Sequence, residues 1–181
     1  MPKVSKDASL LIATSYQALR RAERGDKSTE ITNCVVVILF AGFFIEENLN
    51  VIIKEMKKFN EMKKFLGGKE HPGLLDKMAW YYNAYVASAT AKNRKDLFAK
   101  DITGKLLILD KLEDKFPGFK DIYTFRNDIA HGTINNLANI ENANKLRKQA
   151  KVIVDELFEI SAKTGTEIQR NIKYEVAISK G

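Results

Sequence analysis

Apolar residues return every third or fourth position along most of this chain and seldom alternate one by one. That period belongs to helices that bury one stripe. The clearest case is Ile31, Val35, Ile38, Gly42, Ile45, Leu49, Ile52 and Met56, in alternating steps of four and three. It predicts a long helix, capped by Ser28 or Thr29. Its two halves differ. From Cys34 to Ile45 the opposite face is also apolar (Val36, Val37, Phe40, Phe43, Phe44), whereas beyond Glu46 it becomes charged. A helix apolar all round must be covered all round, which implies a central position or a contact with a second subunit.

The remaining elements follow from the same period and from glycine and proline breaks. A first helix runs from Asp7 to Arg24 and stops at Gly25. Gly67-Gly68 and His71-Pro72-Gly73 make a break, with His71 an exposed turn residue. A third helix spans Leu74–Lys92 with Leu75, Met78, Tyr82, Tyr85 and Ala89 in register. Residues 93–103 are polar and contain a turn; Lys105–Lys115 is a shorter helix that Phe116-Pro117-Gly118 ends. Residues 119–131 are helical, and Gly132 with Asn135-Asn136 marks a loop. The last helix covers 139–163, with Leu146, Ala150, Ile153, Leu157 and Ile160 inward, and stops near Gly165. The expected architecture is all-α: one antiparallel bundle of about five to six helices over residues 1–165. The tail, 166–181, fits two patterns: Ile172, Tyr174, Val176 and Ile178 alternate as in a strand, while Ile168, Ile172 and Val176 suit a helix.

Composition adds a partner class. Thirty basic side chains against 23 acidic ones give a net charge of +7, which suits a polyanion, most simply nucleic acid. The excess is distributed, with two lysine-rich stretches, the first of them also holding Glu55, Glu61 and Glu70. Six lysines stand between Lys54 and Lys69, and Lys145, Arg147, Lys148 and Lys151 have no acid among them. Each also reads as a solvated helix face. Cys34 is the single cysteine, so neither an intramolecular disulfide nor a thiolate zinc cluster can form. The N-terminus shows no secretory hydrophobic region, and the apolar run from Cys34 to Ile45, twelve residues, is too short to span a bilayer. The expectation is a cytoplasmic protein with no membrane partner. No phosphate-binding glycine loop, zinc spacing or serine-nucleophile motif appears. Trp80-Tyr81-Tyr82 with Tyr85 could stack on RNA bases, but their helical spacing favours core or interface packing.

Candidate chemistry is concentrated in Arg126-Asn127-Asp128-Ile129-Ala130-His131-Gly132, which holds one of the two histidines. A guanidinium can grip phosphate oxygens bidentately, and an imidazole moves protons near neutral pH. Asn127 could hydrogen-bond phosphate or ribose, or orient His131. On a regular helix Arg126 and His131 are roughly 140° apart, whereas Asn127 and His131 share a face. Arginine and histidine therefore converge only if the helix distorts or ends between them, or if two subunits contribute. His131 before Gly132 also reads as a cap on a helix C-terminus, with Arg126 paired to Asp128 or Glu141.

Arg126, Asn127 and His131, late in a basic and helical chain, resemble the signature of the HEPN superfamily: an arginine, a polar residue, then a histidine four to six residues beyond the arginine. A long helix with an acidic residue near its middle, Glu46 or Glu47, agrees with that layout over most of residues 7–163. The resemblance implies a HEPN-like bundle and a homodimer whose two motifs meet across a cleft. It further implies a metal-independent endoribonuclease of toxin–antitoxin or antiviral-defence type, with RNA as substrate and no cofactor. Attack by the RNA 2′-hydroxyl would leave a 2′,3′-cyclic phosphate. Arg126, His131 and Asn127 are then the catalytic candidates, and Glu47 and Asp128 the candidate supporting groups, Glu47 being preferred over Glu46. An antitoxin or another regulatory protein is the implied further partner. Some toxins of the superfamily carry a tyrosine two residues after the histidine that a nucleotidyltransferase partner modifies. This chain has Thr133 there, which sets that route of silencing aside. The alternative function is a catalytically silent helical module that dimerises and binds RNA or a protein.

Overall fold

A computed structural model describes residues 6–25, 27–86, 102–134 and 136–163. They form seven α-helices: α1 (Lys6–Arg24), α2 (Lys27–Glu55), α3 (Phe59–Phe65), α4 (Leu74–Tyr81), α5 (Ile102–Lys115), α6 (Phe119–Ala130) and α7 (Ile140–Lys163). A single π-helical turn, Tyr82–Val86, continues α4. No strand occurs among the described residues. The all-α expectation holds.

Helix α2 is the axis of the bundle, packed against α1, α7, α6 and α4. Its predicted stripe is buried from Ile38 through Gly42, Ile45 and Leu49 to Ile52. The N-terminal end differs: Ile31 is 53% exposed and Val35 only half-buried. Residues 29–55 are long and apolar enough to cross a membrane by composition, and half of the most apolar stretch is buried within the bundle. Cys34 is buried, and that burial, with Glu30 nearby, pushes its thiol up to about 11.

One feature raises the helix count among the described residues above the five or six expected. Lys57 takes a left-handed backbone, φ 54°, which closes α2 and sets α3 off as a separate helix. No glycine or proline marks that break, so the sequence gives no sign of it. A separate departure from expectation is the rotation of α4. Leu74, Met78 and Tyr81 are its deepest residues, while Leu75, Tyr82 and Tyr85 are only half-buried. The Tyr81 hydroxyl donates to the Leu157 carbonyl at 2.7 Å and lies 2.8 Å from Ser161 Oγ. A buried hydroxyl with its partners fixes the helix's rotation more firmly than apolar periodicity does. Trp80 and Tyr81 are thus core, and Tyr82 and Tyr85 pack half-buried against it.

In α7, Leu146, Ala150, Ile153, Leu157 and Ile160 all point inward, as expected. Ion pairs tie its outer face to its neighbours: Lys115 to Glu156 at 2.6 Å and Lys145 to Asp121 at 2.8 Å. The expected end of the third helix beyond Val86, the polar segment up to residue 101, Asn135, the stop near Gly165 and the tail 166–181 lie outside the described residues.

Candidate functional site

Helix α6 begins where Phe116-Pro117-Gly118 ends α5, and the Glu113 carboxylate accepts from the amides of Gly118 (2.7 Å) and Lys120 (2.8 Å). An acid that satisfies free amides at a helix start stabilises it and complements the dipole. Phe119, Ile122 and Ile129 are the buried residues of α6. Arg126 stands four residues after Ile122 and three before Ile129, so it shares their inward face. A charge on the core side of an amphipathic helix must find a partner there.

The partners are on α2. Arg126 Nη2 donates to Glu46 Oε2 at 3.3 Å, and Glu46 Oε1 accepts from Lys77 Nζ, on α4, at 2.9 Å. Three helices therefore meet at one carboxylate. The guanidinium carbon lies 4.9 Å from the centre of the Phe43 ring, within cation–π range. Its aliphatic stem rests on Gly42: a β-carbon there would stand 2.6 Å from Arg126 Cδ. A mid-helix glycine, costly by propensity, has its reason in this close approach. Arg126 keeps about a fifth of its side chain exposed, 21%, so the guanidinium is not sealed in.

His131 occupies the other end of the motif. Helix α6 runs unbroken through Ala130, and His131 is its C-cap, at φ −94° and ψ 9°. Gly132 follows at φ 88°, its amide donating to the Ile129 carbonyl at 3.0 Å, while the Thr133 amide donates to the Asp128 carbonyl at 2.8 Å. This is a Schellman termination, in which glycine supplies the left-handed residue. The His131 side chain is exposed.

Within one chain, then, the helix neither distorts nor ends between arginine and histidine. The Arg126 side chain packs against α2, and His131 is exposed at the end of α6. Asn127, on the same side of α6 as His131 by helical spacing, is half-buried, as is Asp128, whose carbonyl serves the cap. The carboxylate that meets the motif is Glu46. Glu47, the preferred candidate from sequence, instead accepts from Asn50 Nδ2 at 3.1 Å on its own helix. One helical step of about 100° separates the two acids, enough to turn one toward α6 and the other away.

Sequence reasoning missed Lys77, for which there was no local signal, and the part played by Gly42. For Gly42 the signal was visible, since a glycine inside an apolar helical stripe marks a close approach. Among the described residues no three His, Cys, Asp or Glu side chains gather as a metal-binding group.

Chemically the site offers a partly open guanidinium, anchored by a carboxylate and a ring, on the same helix as an open imidazole. Along α2 an apolar strip stays incompletely covered: Ile31, Val35, Leu39 and Phe43, at steps of four, are half-buried or exposed. Phe43, at its lower end, is 37% exposed and carries the Arg126 guanidinium. Compared with known proteins, the chain matches no family model, no curated protein and no solved structure.

Proposed function

We propose that this protein is a homodimeric, metal-independent endoribonuclease of the HEPN kind, of toxin or antiviral-defence type, acting in the cytoplasm. The supporting observation is that Arg126 is seated on α2 over a glycine and against Glu46 yet keeps an open edge, while α6 ends on an exposed His131. Preorganised cations next to developing charge are what phosphoryl transfer requires of a protein. In this reading Arg126 holds the scissile phosphate and His131 exchanges protons. The 2′-oxygen bonds to the adjacent phosphorus, the bond from phosphorus to the 5′-oxygen breaks, and that oxygen takes a proton. The products are a 2′,3′-cyclic phosphate and a 5′-hydroxyl. Asn127 shares the helix side of His131 and orients it or binds ribose.

Because Arg126 and His131 face different ways in one chain, two chains complete the site, with arginine and histidine of one motif facing those of the other. The half-covered strip on α2 supplies the apolar surface for that pairing. Its lower end, at Phe43, touches Arg126, so assembly and site formation are coupled.

A second reading has an observation of its own. Arg126 is engaged by Glu46 and Phe43, and His131 caps a helix, so both have structural work in the fold. A silent module that dimerises and binds RNA or a protein, such as an antitoxin or other regulatory partner, would keep them for that alone. Cleavage of a labelled structured RNA in EDTA separates the two. Wild type yields fragments with 2′,3′-cyclic ends, and Arg126→Ala and His131→Ala yield none. Cleavage that persists in either variant overturns the ribonuclease assignment to this motif.

A further inference from the structure

Five arginines lie among the described residues, and four of them converge away from the motif. At the end of α1, Arg20, Arg21 and Arg24 line a shallow, open depression of about 360 Å³ that Gly25, Thr29 and Asn33 also border. The fourth, Arg147, comes from α7. Its guanidinium carbon lies 5.6 Å from the centre of the Tyr16 ring, and that of Arg20 lies 5.7 Å from the same ring. The two are therefore at most about 11 Å apart, within reach of successive phosphates on one strand. The sequence separates Arg20 and Arg147 by most of the chain; the α1–α7 packing joins them.

Arg20 meets Glu23 at 3.8 Å, a long pair between two exposed side chains. Arg21 and Arg24 are exposed. A C-terminal helix dipole favours cations in the last turn of α1, but it accounts neither for the depression nor for the cation contributed by α7. Arginine, rather than the lysine that dominates elsewhere in this chain, is the side chain suited to bidentate phosphate contacts.

We propose that this α1–α7 face is an RNA-docking surface, separate from the Arg126–His131 motif, in which Arg21 and Arg24 take backbone phosphates in the depression and Arg20 and Arg147 a neighbouring one beside Tyr16. The proposal rests on RNA being the substrate. The surface reads no base; it raises local RNA concentration and sets the direction in which the strand leaves the protein.

The test is fluorescence anisotropy with a labelled, fully 2′-O-methylated single-stranded RNA, which has no 2′-hydroxyl to attack, over a range of KCl. The double variant R21Q/R24Q should bind about tenfold more weakly, and its log–log salt slope should fall by about 1.4, for two phosphate contacts on a single strand. R147Q should weaken binding in the same direction, whereas K63Q/K64Q, on α3, should stay within about twofold of wild type. Superimposable circular-dichroism melts check that each variant folds. Wild-type affinity and slope in R21Q/R24Q would overturn the proposal, as would no RNA affinity in wild type. A loss of binding to phosphatidylserine vesicles with RNA binding intact would overturn it too. Cleavage of an all-ribose RNA by the same proteins keeps the two ideas apart. If R21Q/R24Q binds like wild type while His131→Ala ends cleavage, the docking surface fails and the nuclease stands. If R21Q/R24Q loses binding and wild type never cuts, the reverse holds.

Discussion

Replacing Gly42 with alanine should separate stability from function in this protein. The new methyl would sit 2.6 Å from Arg126 Cδ, too close for that carbon to remain, and 3.3 Å from its Nε, a tight contact. What yields is a flexible side chain rather than backbone, so the α2–α6 packing survives and the guanidinium moves off Glu46 and Phe43. Alanine for glycine inside a helix gains about 1 kcal/mol. Against this stands the loss of a partly buried ion pair and a cation–π contact, together about 1–2 kcal/mol. The net change in unfolding free energy should therefore lie within about 1 kcal/mol of zero. Cleavage should fall as far as in Arg126→Ala, since the phosphate-holding group has left its place. A double-mutant cycle makes the structural part independent of any activity. Arg126→Ala should cost less in the alanine background than in wild type, with a coupling of about 1 kcal/mol by urea denaturation. Additivity within about 0.3 kcal/mol would refute the close approach of Arg126 to Gly42.

Three further outcomes are expected. Glu46→Gln removes the charge shared by Lys77 and Arg126 and leaves two cations facing one amide; denaturation should register a loss of about 1–3 kcal/mol, and an unchanged midpoint would argue against the three-helix junction. Gly132→Ala places a β-carbon at φ 88°, which should cost about 1 kcal/mol and lower the melting temperature by about 2–4 °C while disturbing the backbone beside His131; a melt equal to wild type would contradict the left-handed cap. Stability should fall as pH rises above about 9, because the buried Cys34 thiol keeps its proton up to about 11 in the fold but loses it earlier when unfolded. The native state then binds the extra proton, so unfolding free energy declines by up to about 1.4 kcal/mol per pH unit. Cys34→Ala should flatten that decline, and equal slopes in both proteins would count against a sealed thiol.

Much of this molecule is local, and the local part is legible in the chain. Helices α1, α6 and α7, and the start of α2, lie within a residue or two of where apolar periodicity and glycine stops put them, because a stripe repeated every three or four residues has one way to be buried. The termination at Gly132 follows from a single residue's backbone freedom. What depends on neighbours did not appear. The break at Lys57 uses no breaking residue, and the rotation of α4 is set by a hydroxyl whose partners lie on α7. The choice of Glu46 over Glu47 turns on which of two adjacent side chains faces α6, and Lys77 joins them from a third helix. The arginines of α1 and α7 share Tyr16 only because those helices pack together. The sequence by itself determined that the chain is helical and which face of α7 and of most of α2 is buried, and it singled out Arg126 and His131 as candidates for chemistry. Tertiary structure alone decided their company, because ion pairs and close contacts depend on distances between helices that no spacing along one helix contains.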